Sequence, residues 1–211
     1  MCLSLIDEGL IVFGDFRFKL HEDYPDAPLS PNKIDIRGDK VSERVLDQIG
    51  LVLLEVPIRG VPDFCVGIPN AATAIAGKYS AYSGVPFSEP LYKDDTGEKR
   101  KVVPREGIVM PGKHVLLIDD VISMADSKFE AIRALESQGA VVGNILILVD
   151  REHGGVRELE AERYNIRSAM KLSQMLDFYL RIGRISEEVY INNQQRLQAL
   201  NAFLQKKRLS G

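Results

Sequence analysis

The sequence predicts an α/β fold in which an open, mostly parallel sheet is flanked by helices. Three short apolar runs rich in branched residues, at 64–68, 115–118 and 145–149, are typical of strands buried on both faces. Segments with helical spacing lie between them, and strands that alternate with helices favour parallel βαβ units. The length of 211 residues suits one domain, so we expect a single domain over 1–211.

The elements before the second apolar run are predicted in order. Alternation over 13–19 predicts an N-terminal strand, and three prolines predict a loop over 23–32. Apolar residues on one stripe predict a helix over 41–55. The polar stretch 93–111 predicts a long loop, and loops of that length are often functional.

Three helices with recognisable ends are predicted after the apolar run at 115–118. Ser127 and Glu130 fit a capping box, which predicts a helix N-cap at Ser127, and Gly139 ends the helix. The last quarter predicts two helices, over 172–182 and from 186 to about 207, joined at Gly183. We therefore expect an irregular N-terminal region over 1–40, a core over 41–170 and C-terminal helices over 171–211.

The composition excludes several classes of protein. Against 30 Asp and Glu there are 27 Lys and Arg, so the net charge of -3 gives no global basic field for nucleic acid. No apolar run approaches the ~20 residues of a membrane span, and an acidic N-terminus disfavours a secretory signal. Two cysteines form no disulfide framework or metal set. We expect a soluble cytoplasmic protein without nucleic-acid or membrane partners.

One segment, 114–130, carries a recognisable chemistry. An apolar strand ends in Asp119 and Asp120, and a loop of small residues and a helix follow. Ligands of open parallel sheets bind beyond the carboxyl ends of the strands. Two carboxylates there suit vicinal hydroxyls, and a helix N-terminus suits a phosphate. A diol beside a phosphate describes a ribose 5-phosphate.

This segment resembles the phosphoribosyl-pyrophosphate (PRPP) signature of type I phosphoribosyltransferases. Further segments, in the same order along the chain, resemble the orotate phosphoribosyltransferase branch, and they lie at 13–19, 30–37, 67–72, 150–155 and 172–177. The resemblance implies the type I phosphoribosyltransferase fold with an N-terminal lid and a C-terminal helical extension. It also implies transfer of a phosphoribosyl group from PRPP to orotate, giving orotidine 5'-monophosphate and pyrophosphate in pyrimidine biosynthesis, with Mg2+ on the pyrophosphate and a homodimeric assembly.

The resemblance also implies site residues. The implied PRPP-binding residues are Asn70, Ala71, Ala72, Lys93, Asp119, Asp120, Ser123, Met124, Ala125, Asp126 and Ser127. Within this set, Asp119 and Asp120 would hold the ribose hydroxyls, and Lys93 would face pyrophosphate; these three form the implied catalytic set. Lys19 and Arg151 would contact orotate, and a planar guanidinium suits its carboxylate. No direct metal ligand is implied.

The sequence departs from the family pattern in two places. In the phosphate loop, Met124 and Ala125 replace hydroxyl and glycine positions, and Asp126 adds a negative charge. The family also has a flexible loop with a histidine and two lysines, which corresponds to residues 92–101 here. This segment has no histidine, and the cations at 99–101 are displaced from the position of the family's second lysine. Two alternatives stay open: a phosphoribosyltransferase acting on orotate or a related base, or a non-catalytic or altered-specificity homologue that binds a nucleotide or partner in a regulatory role.

Overall fold

The computed structural model describes residues 1–18, 20–37, 40–97 and 101–209. Its elements in chain order are α1 (Cys2–Asp7), β1 (Ile11–Phe16), α2 (Leu20–Asp23), β2 (Ser30–Ile34), α3 (Glu43–Leu54), β3 (Phe64–Gly67), α4 (Thr73–Ser83), β4 (Leu91–Asp94), β5 (Lys101–Pro104), β6 (His114–Ile122), α5 (Asp126–Ser137), β7 (Val141–Asp150), α6 (Gly155–Ala161), β8 (Asn165–Lys171), α7 (Leu172–Arg181) and α8 (Glu187–Leu209).

The chain divides into two compact units. One comprises residues 36–171 together with Met1, and the other comprises residues 2–35 and 172–211. The sequence predicted divisions after residues 40 and 170, and its prediction of one domain stays a prediction. No helix in the described ranges is long and apolar enough to cross a bilayer.

A four-stranded parallel sheet forms the centre of the larger unit. Its strand order is β3-β6-β7-β8, and the strands run side by side with Gly67 opposite Ile118 and Ile122 opposite Asp150. The three predicted apolar runs fall in β3, β6 and β7, which are buried along most of their length because helices cover the sheet. This arrangement confirms the α/β prediction.

Three predicted boundaries in this unit were wrong. The strand predicted over 115–118 runs to Ile122, because ladder pairing with β7 continues past the two acids. The loop predicted over 93–111 holds most of an antiparallel hairpin, β4 with β5. The helix predicted to be capped by Ser127 has its N-cap at Ala125, and Glu130 instead accepts a hydrogen bond from the Val102 backbone N–H at 3.2 Å.

The smaller unit is built from one hairpin and four helices, α1, α2, α7 and α8. The strands β1 and β2 pair antiparallel, although a loop was predicted over 23–32, because Pro31 is tolerated in a two-stranded edge. The two predicted C-terminal helices are confirmed as α7 and α8, and Gly183 adopts a φ of 69° between them. Within this unit, the Tyr179 hydroxyl donates to the Cys2 carbonyl at 2.7 Å, and Asn32 donates to Asn193 at 3.0 Å.

Candidate functional site at the carboxyl edge of the sheet

Three connections of the larger unit meet where β3, β6 and β7 end. Parallel pairing places the carboxyl ends of these strands at one edge. Backbone hydrogen bonds link the connections: Arg151 N–H donates to Ile122 O at 2.9 Å, and Gly155 N–H donates to Ser123 O at 3.0 Å. The structure therefore brings the turn at 68–72, the loop at 119–127 and the turn at 150–155 to the same edge.

Asp119 is a buried carboxylate with a buried cationic partner. Its Oδ2 atom lies 2.6 Å from the Nζ atom of Lys128, and both side chains are almost completely shielded from solvent. Its Oδ1 atom accepts the backbone N–H of Asp120 at 3.0 Å. Both oxygens of Asp119 therefore have partners inside the protein.

Asp120 is only partly buried and has a strongly perturbed acidity. Its Oδ1 atom accepts the Val121 backbone N–H at 2.7 Å. Burial raises the pKa of Asp120 to about 7, the negative charge and hydrogen bond of Asp119 act in the same direction, and the charge of Lys128 acts against them. Of the two acids, Asp120 is thus the one exposed enough to meet a ligand.

We expect PRPP binding to strengthen as the pH rises through 7. With the pKa of Asp120 at about 7 in the free protein, the ionised fraction rises about tenfold between pH 6 and pH 8. The apparent Kd falls by the same factor if only the carboxylate accepts the ribose hydroxyls. Calorimetry across this range, with Asp120→Asn as the control, separates this effect from the ligand's own titration: the variant should retain only the ligand's slope. A wild-type slope equal to that of the variant would contradict the prediction.

The loop that was predicted to hold a phosphate is surrounded by acidic groups. Glu158 of α6 accepts the backbone N–H of Ala125 at 3.1 Å. Asp126 is exposed and is the first residue of α5, where the helix dipole stabilises a negative charge. Below the loop, a Cβ atom at Gly155 would lie 2.8 Å from Ser123 O and Met124 C, so only glycine allows this packing. The loop is therefore closely packed against Gly155, and its own side chains carry one negative charge.

The turn after β3 is equally close-packed. A Cβ atom at Gly67 would lie 2.3 Å from the Ala72 carbonyl oxygen. The Ala72 N–H donates to Ile68 O at 3.1 Å, the Pro69–Asn70 peptide bond is cis, and Asn70 is exposed. The Ala72 N–H is therefore engaged inside the turn and is not available to a ligand.

Arg151 begins the turn after β7. Its side chain is buried, and burial lowers the pKa of its guanidinium to about 10, so it stays charged near neutrality. The turn is fixed by Asp150, which accepts the Glu152 N–H at 2.7 Å, and by Gly154, whose φ is 101°. A buried cation at this edge suits an anionic group of a ligand.

Two of the remaining predicted cations, Lys93 and Lys101, lie on the hairpin of β4 and β5. Lys93 is partly buried in β4, opposite Val102 of β5, and this hairpin packs against α5. Lys19, Lys99 and Arg100 lie outside the described residues, so their predicted roles stay predictions. Lys101 is exposed on β5.

The sequence analysis missed Lys128 and Glu158 as neighbours of the loop. Lys128 did carry a signal, because it occupies the apolar stripe that Ala131, Ile132 and Leu135 continue on α5. Glu158 carried none, because its contact with Ala125 depends on how α6 packs against the loop.

The donor set offers no all-protein metal cage. Within residues that the structure describes, no three His, Cys, Asp or Glu side chains are grouped to hold an ion. Mg2+ commonly binds through one or two carboxylates, substrate phosphates and water. The residues present therefore fit a Mg2+ ion that arrives with a phosphorylated ligand.

Comparisons with known proteins identify relatives of this chain. It is 31% identical over 134 residues to orotate phosphoribosyltransferase of Aquifex aeolicus, covering 61% of this chain and 72% of that protein. It is 30% identical over 204 residues to uridine 5'-monophosphate synthase of Bos taurus, covering 95% of this chain. The structure of Leishmania donovani UMP synthase matches 97% of the chain with a TM-score of 0.75 and 26% identity. No protein-family model matches.

The two synthases are much longer than this chain. The match spans 40% of the bovine protein and 41% of the Leishmania chain.

Proposed function

From the premise that this chain belongs to the orotate phosphoribosyltransferase family, we propose that it transfers a phosphoribosyl group from PRPP to orotate. The products are orotidine 5'-monophosphate and pyrophosphate, as in pyrimidine biosynthesis. The observation that carries the proposal is the meeting of an acid pair, a loop that opens a helix and a buried arginine at the carboxyl edge of one parallel sheet.

Asp120 and the loop at 123–127 form the proposed phosphoribosyl subsite. The partly exposed carboxylate of Asp120 accepts the ribose hydroxyls, while Asp119 supports it from the buried side. Ser123 and Ser127 supply hydroxyls, and the start of α5 supplies backbone N–H groups for the 5-phosphate. These contacts fix the ribose so that its anomeric carbon faces the base.

The base and the leaving pyrophosphate bind at the two other turns of this edge, at 150–155 and 68–72. Arg151 binds the orotate carboxylate, and the turn at 70–71 meets pyrophosphate, which Lys93 also approaches from the hairpin. The bond from the anomeric carbon to pyrophosphate breaks, its electron pair leaving with pyrophosphate, as the bond to the base nitrogen forms. The proton of that nitrogen passes to pyrophosphate or solvent, and no covalent intermediate with the protein forms. The protein accelerates this exchange by orienting the partners and stabilising charge on pyrophosphate.

Mg2+ is proposed to be bound by the pyrophosphate oxygens of PRPP and by water, where it offsets the charge of the leaving group.

We also propose a homodimer and a cytoplasmic location. The family's flexible loop reaches a neighbouring subunit, which supports the first, and two cysteines that form no disulfide fit a reducing compartment. Sedimentation at micromolar concentration tests the assembly, and a monomer would contradict it.

The test of the reaction is an orotate-depletion assay with PRPP and Mg2+, run beside uracil, hypoxanthine and adenine. We expect orotate to be consumed in proportion to pyrophosphate release, and the other bases to remain. Consumption of another base in place of orotate would overturn the assignment of the base while keeping phosphoribosyl transfer.

A second function is favoured by the acidic loop. Glu158 already occupies the Ala125 N–H, and Asp126 adds charge where a phosphate would bind. A non-catalytic homologue that binds a nucleotide or partner in a regulatory role would show these features. It predicts that no base in the panel is consumed, although orotidine 5'-monophosphate raises the melting temperature.

Asp126→Asn is expected to tighten PRPP binding by about fivefold at low salt. The exposed carboxylate repels a nearby phosphate through solvent, and the asparagine removes that repulsion without changing side-chain size. The gain should shrink at 0.5 M salt because the repulsion is screened. Calorimetry measures both, with Glu106→Gln, which removes an exposed acid from another loop, as the control. Equal affinity of wild type and Asp126→Asn at low salt would mean that the phosphate lies elsewhere.

A further inference from the structure

Lys128 is a charged residue at a buried position of α5 where apolar side chains are usual. It is 4% exposed and lies on the buried stripe of α5 with Ala131, Ile132 and Leu135. It also lies in the first turn of α5, where the helix dipole disfavours a cation. Burying an ammonium group is costly unless it is paired and hydrogen-bonded, so its presence calls for a compensating role.

The ammonium group joins three parts of the proposed phosphoribosyl subsite. Its Nζ atom lies 2.6 Å from Asp119 Oδ2, donates to Val121 O at 2.7 Å, and lies 3.4 Å from Ser127 Oγ. These acceptors belong to the end of β6 and to the start of α5. One side chain therefore fixes the acid pair and the loop relative to each other.

Acidic residues lie on the elements that meet near this ammonium group. Asp119 and Asp120 lie on β6, Asp126 begins α5, and Glu158 reaches the loop from α6. A nearby cation favours the ionised form of a carboxylate that lies beside another, buried carboxylate. A phosphorylated sugar would add further negative charge to the same place.

Resting on the proposed function, we propose that Lys128 is a positioning residue of the phosphoribosyl subsite. Its buried ammonium group holds Asp119, keeps the neighbouring Asp120 able to ionise, and supplies positive charge behind the loop that carries Asp126. It touches no substrate itself and acts through Asp119, Asp120 and the loop.

The test compares wild type with Lys128→Met, which has a side chain of similar length without charge, and with Lys128→Arg, which keeps the charge. The matched control is Lys113→Met, which removes an exposed lysine paired with Asp63 near the other end of β6. The first readout is the pKa of Asp120, measured by carboxyl 13C NMR without ligand. The second is the Kd for PRPP with Mg2+ at pH 8.

In Lys128→Met we expect the pKa of Asp120 to rise by about one unit or more, because the charge that opposes its protonation is gone. The Kd for PRPP should weaken by roughly tenfold or more, since an uncharged and poorly held Asp120 binds the hydroxyls less well. Lys128→Arg should recover a large part of both quantities, and Lys113→Met should change neither. An unchanged pKa and a Kd within threefold of wild type in Lys128→Met would overturn the proposal.

The pKa readout separates this proposal from the proposed function. If wild type binds no PRPP while the pKa of Asp120 still rises in Lys128→Met, the phosphoribosyl function fails and the electrostatic role of Lys128 is supported. If Lys128→Met does not fold, the ammonium NMR signal of wild-type Lys128 serves instead. A shift of that signal on addition of ribose 5-phosphate supports the proposal, and an unmoved signal under saturating ligand overturns it.

Discussion

Arg151→Ala is expected to lower kcat/KM for orotate by roughly a hundredfold or more while changing the Kd for PRPP by less than about threefold. A charged hydrogen-bonded pair that loses one partner costs about 2–5 kcal/mol, which corresponds to a loss of about 30-fold to several thousandfold, and a hundredfold loss lies within this range. The guanidinium of Arg151 is buried and charged at the edge where the base is placed. Steady-state kinetics with varied orotate and calorimetry with PRPP measure the two quantities.

Arg151→Lys is the control for charge. It keeps a cation but loses the planar fork that matches a carboxylate, so its kcat/KM should lie between wild type and Arg151→Ala. Equal losses for orotate and PRPP in Arg151→Ala, together with a lowered melting temperature, would instead assign Arg151 a structural role in the turn after β7.

Gly67→Ala is expected to lower the free energy of unfolding by about 2–3 kcal/mol and to weaken PRPP binding by at least about tenfold. The added Cβ would lie 2.3 Å from the Ala72 carbonyl oxygen and 2.6 Å from its carbon, and both are backbone atoms that no rotamer change can move. The turn at 68–72 must then shift away from β3, which displaces the residues assigned to pyrophosphate. Urea denaturation and calorimetry give the two values.

The matched control is Gly77→Ala in α4, where a Cβ atom meets nothing within 4 Å. This change should raise stability by up to about 1 kcal/mol, since alanine is favoured over glycine inside a helix, and should leave PRPP binding unchanged. A Gly67→Ala protein as stable as wild type would show that the turn packs less closely than described here.

Three of the four strands of the central sheet were predictable because they are buried on both faces, whereas β8 is partly exposed and was missed. The runs in β3, β6 and β7 are continuous and rich in Val, Ile and Leu, and this pattern leaves few alternatives. The helices α7 and α8 were predictable from spacing and from Gly183. The hairpin of β4 and β5 was missed, because its strands are four residues each and lie in a polar segment where local preference is weak.

The site was predictable only in part. Asp119 and Asp120 follow an apolar run, so their place at the edge of the sheet follows from the strand itself. The difference between them does not, because it depends on Lys128 reaching Asp119 from the next helix. Likewise, the sequence suggested that Ser127 caps α5, yet the N-cap lies two residues earlier at Ala125, whose N–H donates to Glu158 of a third element. Contacts between elements decide both.

The charged groups around the loop at 123–127 differ in their exposure and hydrogen bonding. Asp126 is exposed, so solvent screens its charge, whereas the Glu158 carboxylate is directly hydrogen-bonded to the loop. The buried ammonium of Lys128 lies behind the same loop. A phosphate that binds at this loop would lie near the solvent-screened carboxylate of Asp126 and the buried ammonium of Lys128. It would also compete with Glu158 for the backbone N–H of Ala125.

The central claim is that the edge formed by Asp120 and the loop at 123–127 binds PRPP. Calorimetric titration of the chain with PRPP and Mg2+ at pH 8, beside Asp120→Asn, tests it most directly. We predict one site per chain for wild type and at least about tenfold weaker binding for Asp120→Asn, because the amide replaces an ionised acceptor. Absence of heat and of thermal stabilisation at millimolar PRPP, or equal affinity of the two proteins, would contradict the claim.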